Sequence, residues 1–110
     1  MDEPSAIIVF MTAPSPDKAN EIAHALVNEK LAACATIIPR VQSLYWWEGK
    51  INRDEEVLII AKSQHTLFPE IMQRVKSLHS YEVPEIISLP IIDGLPAYLD
   101  WLKNVIKKTL

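Results

Sequence analysis

The order in which two apolar patterns alternate along this chain constrains its fold more than any other feature. Ala6-Ile7-Ile8-Val9-Phe10-Met11 is a short β-branched run stopped at Thr12-Ala13-Pro14, and it reads as a strand buried on both faces. Ser15 then supplies an N-cap, Pro16 a first helical residue, and Asp17 an acidic group that favours the helix dipole. Ala19, Ile22, Ala23, Leu26 and Val27 recur at helical spacing, which predicts an amphipathic helix ending near Leu31.

A long β-like stretch follows over residues 35–47, interrupted by Pro39 and closed by Glu48-Gly49-Lys50; residues 56–62 are strand again. The two form a hairpin turning near Gly49, which takes a positive φ cheaply. Asp54, Glu55 and Glu56 mark where the second arm meets solvent. Thr66 caps a second helix with Phe68, Ile71, Met72, Val75 and Leu78 inside, and Pro69 is tolerated because it lies in the first turn. Residues 84–89 read as a fourth strand ended by Pro90. Leu95-Pro96 opens a last helix whose apolar face holds Leu95, Tyr98, Leu99, Leu102, Val105 and Ile106, with Lys103, Lys107 and Lys108 near its C-terminus. The sum is an α+β chain: a ferredoxin-like β-α-β-β-α-β antiparallel sheet with an added C-terminal helix.

Composition narrows the function classes. At 110 residues there is room for one domain, residues 1–110, and a hydrophobic content of 49% excludes disorder. A net charge of −3 leaves no electrostatic basis for binding nucleic acid or anionic lipid. Gly49 and Gly94 are the only glycines, which removes every glycine-rich phosphate loop. Cys34 is the single cysteine, so no internal disulfide points to an oxidising compartment. Met1-Asp2-Glu3-Pro4 lacks the positive charge of a secretory leader, and no apolar run approaches the ~20 residues of a membrane span. A soluble, cytoplasmic chain without membrane insertion is the expectation.

In the ferredoxin-like arrangement the second strand lies at a sheet edge, and here it carries Ile37, Ile38, Val41, Leu44, Tyr45, Trp46 and Trp47. Three successive aromatics point to both faces, so a lone chain would expose an aggregation-prone edge. Coverage by other subunits resolves this; the bland alternative is that the last helix covers one face and solvent tolerates the other.

Candidate chemistry is sparse. Cys34, at a helix-to-strand junction, is either a small buried hydrophobe or a soft metal ligand or redox-sensitive thiol. His24 and His65 have no metal-binding company nearby. The turn His79-Ser80-Tyr81-Glu82-Val83-Pro84-Glu85 groups an imidazole, a phenol and two carboxylates, a donor set suited to Cu, Zn or Ni. The alternative is a helix end where His79 meets the dipole and Tyr81 simply packs. No paired-histidine or CxxC spacing is present, and no nucleophile has a local base, so a non-enzymatic role is expected. Lys62, at the end of the third strand, could bind an anion.

Taken in order, Leu31-Ala32-Ala33-Cys34, Ile38-Pro39, Ser43-Leu44-Tyr45-Trp46-Trp47-Glu48-Gly49-Lys50, the segments 56–62 and 79–85, and Tyr98-Leu99-Asp100-Trp101 resemble the CutA divalent-cation tolerance proteins over nearly the whole chain. The resemblance implies a ferredoxin-like homotrimer related in fold to the PII signalling proteins. It further implies binding of copper or another divalent cation, with family ligand positions falling on Met11 and on Leu78-His79. Leu78 cannot coordinate, and Met11 suits only a soft ion such as Cu(I). The metal candidates are therefore His79, Cys34, Glu85 and Met11. The competing expectation is a PII-like signalling trimer whose inter-subunit clefts bind a small anionic metabolite, with Lys62, Tyr81 and Trp47 lining them.

Overall fold

A computed structural model describes residues 5–108; Met1-Asp2-Glu3-Pro4, on which the reading of the N-terminus rests, lie outside the described residues. The elements are β1 (Ala6–Ala13), α1 (Pro16–Asn28), β2 (Cys34–Trp47), β3 (Lys50–Gln64), a 3₁₀ turn (His65–Leu67), α2 (Phe68–Leu78), β4 (Ile86–Pro90) and α3 (Pro96–Val105). The sheet order is β2-β3-β1-β4 and every pairing is antiparallel. This is the ferredoxin-like arrangement with an added terminal helix, and it puts β2 and β4 at the edges.

Local chemistry accounts for the boundaries. Ser15 Oγ accepts the Lys18 N–H, and Pro16 sits at the first helical position. The helix stops at Asn28 rather than Leu31 because Lys30 turns left-handed at φ 60°. The Leu31 N–H then reaches the Leu26 carbonyl and the Lys30 N–H the Val27 carbonyl. This is a Schellman closure with lysine where glycine is usual. In the β2–β3 hairpin, Trp47 faces Lys50 across a two-residue turn in which Glu48 (φ 51°) and Gly49 (φ 81°) both have positive φ. That is the type I′ turn whose twist matches the strands. Pro39 and Arg40 form a bulge between Ile38 and Val41, where Arg40 takes φ 64°.

The core lies on one side of the sheet. Ile7, Val9, Met11 and Ala13 of β1 and Val57, Ile59 and Ala61 of β3 pack with Ile22 and Leu26 of α1 and Ile71 and Val75 of α2. On the opposite face of β1, Ile8 and Phe10 are only half-buried. The expectation of a strand buried on both faces therefore holds for one face, because both long helices pack on the same side. Leu102 and Ile106 bring α3 into this core, while Val27 and Met72 remain exposed although their helical spacing places them inward.

Beyond the Ala13–Val57 pair, β2 and β3 continue without β1 as a two-stranded ribbon. It carries Leu44, Trp46 and Ile51 at 63%, 72% and 62% exposure. A free two-stranded ribbon is marginal in water, and this one is apolar as well.

Candidate functional site

The functional geometry gathers where the ribbon leaves the sheet. The segment after α2 crosses the end of β1 and lies against β3. Its first fastener is His79, which is 9% exposed: Nδ1 accepts the Tyr81 N–H at 3.1 Å. Because that nitrogen accepts, the proton resides on Nε2, which donates to the Thr12 carbonyl at 2.7 Å. The second fastener is Tyr81, whose hydroxyl donates to Glu56 Oε2 at 2.9 Å while its ring stacks obliquely on His79.

These contacts close one side of a cleft of about 400 Å³. Tyr45, Trp47, Asp54 and Glu56 line it from the ribbon, Tyr81, Glu82, Val83 and Glu85 from the loop, and Thr12 from the end of β1. Register explains the ribbon wall: Val41 opposite Glu56, Ser43 opposite Asp54 and Tyr45 opposite Asn52 share one face, so Tyr45 and Asp54 meet diagonally and hydrogen-bond. Four carboxylates and three aromatic rings face the cleft, and none of the lining residues is basic. Burial, and then the Glu56 carboxylate, push the Tyr81 hydroxyl well above the usual phenol range. The hydrogen bond to Asp54, followed by burial, raises the Tyr45 hydroxyl above its ordinary value.

Glu56 departs from the expectation drawn from sequence. It does not mark the solvent edge: its exposure is 7%, because Tyr81 folds over it. Asp54, Glu56, Tyr45, Glu82 and Thr12 join the site without having stood out individually as candidates. The alternation of Asp54 and Glu56 with Tyr45 across the hairpin is the sequence signal that points to those three, and Glu82 belongs to the acidic turn after α2.

The residues singled out in the sequence fall in three places. Glu85, Tyr81 and Trp47 line the cleft. His79 stands behind it with both ring nitrogens engaged, and Met11, adjacent to Thr12, is fully buried in the core. Cys34 and Lys62 form a separate cluster: the two are cross-strand partners, Lys62 Nζ lies 3.9 Å from Cys34 Sγ, and the Tyr98 hydroxyl lies 3.6 Å from the same sulfur. The contact with Cys34, and then burial, raise the Tyr98 hydroxyl above the ordinary phenol range. Among the described residues, no three histidine, cysteine, aspartate or glutamate side chains converge closely enough to hold a metal ion. Among the same residues, no helix is long and apolar enough to cross a membrane.

Residues 7–105 match the family described as CutA1 divalent ion tolerance protein. The chain is 48% identical over 97 residues to the divalent-cation tolerance protein CutA of Thermus thermophilus, covering 88% of this chain and 94% of that protein. It is 44% identical over 99 residues to the chloroplastic protein CutA 1 of Oryza sativa; the match covers 90% of this chain but only 56% of that longer protein. The solved structure of CutA1 from Oryza sativa superposes with a TM-score of 0.93 at 42% identity, covering 96% of each chain.

Proposed function

The chain belongs to the CutA1 divalent ion tolerance protein family, and from that premise we propose that it is a non-enzymatic, cytoplasmic homotrimer that binds divalent cations, copper before others. The observation that carries the cation reading is the cleft: Asp54, Glu56, Glu82 and Glu85 face one space with no basic residue among its lining. Such a space concentrates cations, and copper leads the divalent series in affinity for nitrogen and oxygen donors. Since no three donors converge within one described chain, the binding is open and of modest strength unless another copy adds ligands. Of the four metal candidates, Glu85 is best placed to touch the ion, and His79 holds the loop that presents it.

The trimer is supported by the apolar ribbon, whose Leu44, Trp46 and Ile51 need a partner surface. The alternative is a PII-like signalling trimer that binds a small anionic metabolite in clefts between subunits lined by Lys62, Tyr81 and Trp47; the acidic cleft within one chain, which Lys62 does not line, is not itself suited to an anion.

Calorimetry with Cu²⁺ on the parent chain and on Glu85→Gln and Glu56→Gln tests the cation reading. A weaker isotherm in both variants is expected, and identical isotherms would remove the cleft from it. Light scattering should report roughly three times 12.5 kDa; a stable monomer would overturn the trimer.

A further inference from the structure

We propose that Tyr81 is a strap that sets the angle at which the β2–β3 ribbon leaves the sheet, and so presents the ribbon's apolar face to a second copy of the chain. Its consequence for assembly rests on the trimer reading; the strap itself does not.

Two weaknesses coincide at the root of the ribbon. β1 ends at Ala13, opposite Val57, so beyond that level β3 pairs with β2 alone among the described residues. At the same level the Pro39-Arg40 bulge interrupts the β2–β3 ladder, between the Ile38–Leu58 and Val41–Glu56 pairs. A bulge bends its strand, and two strands alone are marginally stable. The ribbon is therefore hinged at its root rather than a stiff continuation of the sheet.

Side-chain bonds across this hinge are few. Among the described residues, Tyr81–Glu56 is the only side-chain hydrogen bond from residues 41–56 to the rest of the chain. The Tyr45–Asp54 bond and those of Asn52 lie within the ribbon. The Arg40–Glu55 pair spans the bulge at 3.7 Å, but both side chains are largely exposed and the contact contributes little. Tyr81 has the footing that a strap needs. Its N–H donates to His79 Nδ1, its ring packs on that imidazole, and His79 Nε2 is tied to the Thr12 carbonyl at the end of β1. One hydroxyl thus joins the ribbon root to the fixed end of the sheet, and the burial of Glu56 keeps water from replacing it.

The lever arm makes this angle matter. Trp46 lies five residues beyond Val41, roughly 17 Å out at about 3.4 Å per residue. A swing of about 10° at the root moves it by about 3 Å, and a gap of about 1 Å already forfeits much of a van der Waals contact. Leu44, Trp46 and Ile51 fit one partner surface only while the root is held.

Hydrogen exchange read by mass spectrometry, together with sedimentation equilibrium, tests this on the full chain, Tyr81→Phe and Glu56→Gln. Tyr81→Phe keeps the ring on His79 and removes only the hydroxyl, whereas Glu56→Gln retains a carbonyl oxygen to accept it. In Tyr81→Phe, amides of residues 41–55 should exchange about tenfold faster while those of β1 stay unmoved. Subunit association should weaken by about tenfold, and Glu56→Gln should change both much less. Ribbon exchange that Tyr81→Phe leaves unaltered overturns the strap. A rise shared equally by β1 overturns it too, marking a general loss of stability. Loosening confined to the ribbon with association unchanged overturns the consequence for assembly. A parent chain that sediments as a monomer brings down the trimer reading and that consequence with it, while ribbon exchange still decides the strap.

Discussion

The Nε2 atom of His79 lies 2.7 Å from the carbonyl oxygen of Thr12, joining the end of α2 to the end of β1. Since Nδ1 accepts the Tyr81 N–H, one imidazole fixes both the strand end and the loop that walls the cleft. The ring is held as the Nε2–H tautomer, which nitrogen NMR shifts should report directly. His79→Ala leaves the buried Thr12 carbonyl without its donor and should cost about 2 kcal/mol in urea unfolding. A loss below about 0.5 kcal/mol would show that the imidazole does not fasten the loop.

Tyr81 makes the alkaline limb of stability informative. Its hydroxyl is raised by burial first and by Glu56 second, while in the unfolded chain it titrates near 10. Above that pH the unfolded state has lost a proton that the folded state keeps, so stability falls as pH rises. Below it both states hold the proton and the contribution is complete. Urea midpoints should therefore drop more steeply above about pH 10 in the parent chain than in Tyr81→Phe. Parallel slopes would contradict the raised hydroxyl.

Cys34 and Tyr98 provide a second, independent titration. The contact with the Cys34 sulfur is the main cause of the raised Tyr98 hydroxyl, ahead of burial. Cys34→Ala should bring one phenolate transition back toward the ordinary range near 10, seen as the difference between absorbance titrations of the two chains. A titration curve that Cys34→Ala leaves unmoved would rule out the contact.

Met11 separates a packing role from a ligand role. It is fully buried, between Ile59 of β3 and Ile86 of β4 in the sheet. Met11→Ala should cost about 2–5 kcal/mol through the cavity it leaves, whereas Met11→Leu nearly conserves volume and should cost under about 1.5 kcal/mol. Copper calorimetry on the folded Leu variant should match the parent chain. If Met11→Leu keeps its stability but loses copper binding, the side chain is a ligand after all.

Most of the elements are legible in the residue order because their causes are local. Ser15-Pro16 starts α1, Glu48-Gly49 makes the type I′ turn and Leu95-Pro96 opens α3, each through backbone chemistry confined to a few residues. The end of α1 is harder to read because Lys30, not a glycine, takes the left-handed position there. Val27 keeps helical spacing with the core residues but lies on the flank, since periodicity shows a face and not its width.

The site is legible only in fragments. Tyr81 and Glu85 stand out in one short turn, yet their neighbour Glu56 resembles a solvent-facing charge beside Asp54 and Glu55. Lys62, Tyr81 and Trp47 suggest one constellation between subunits; within one chain Tyr81 and Trp47 line the cleft while Lys62 lies beside Cys34. Hydrophobic period and turn residues act over neighbouring positions, so the order of residues was enough to dictate the succession of strands and helices and the edge position of the aromatic ribbon. It was not enough to bury Glu56 under Tyr81, 25 residues away, to fasten His79 to Thr12, or to seat Cys34 with Lys62 and Tyr98. Those pairings depend on strand register and on the path of the loop across the sheet end, which long-range packing sets and no local pattern encodes.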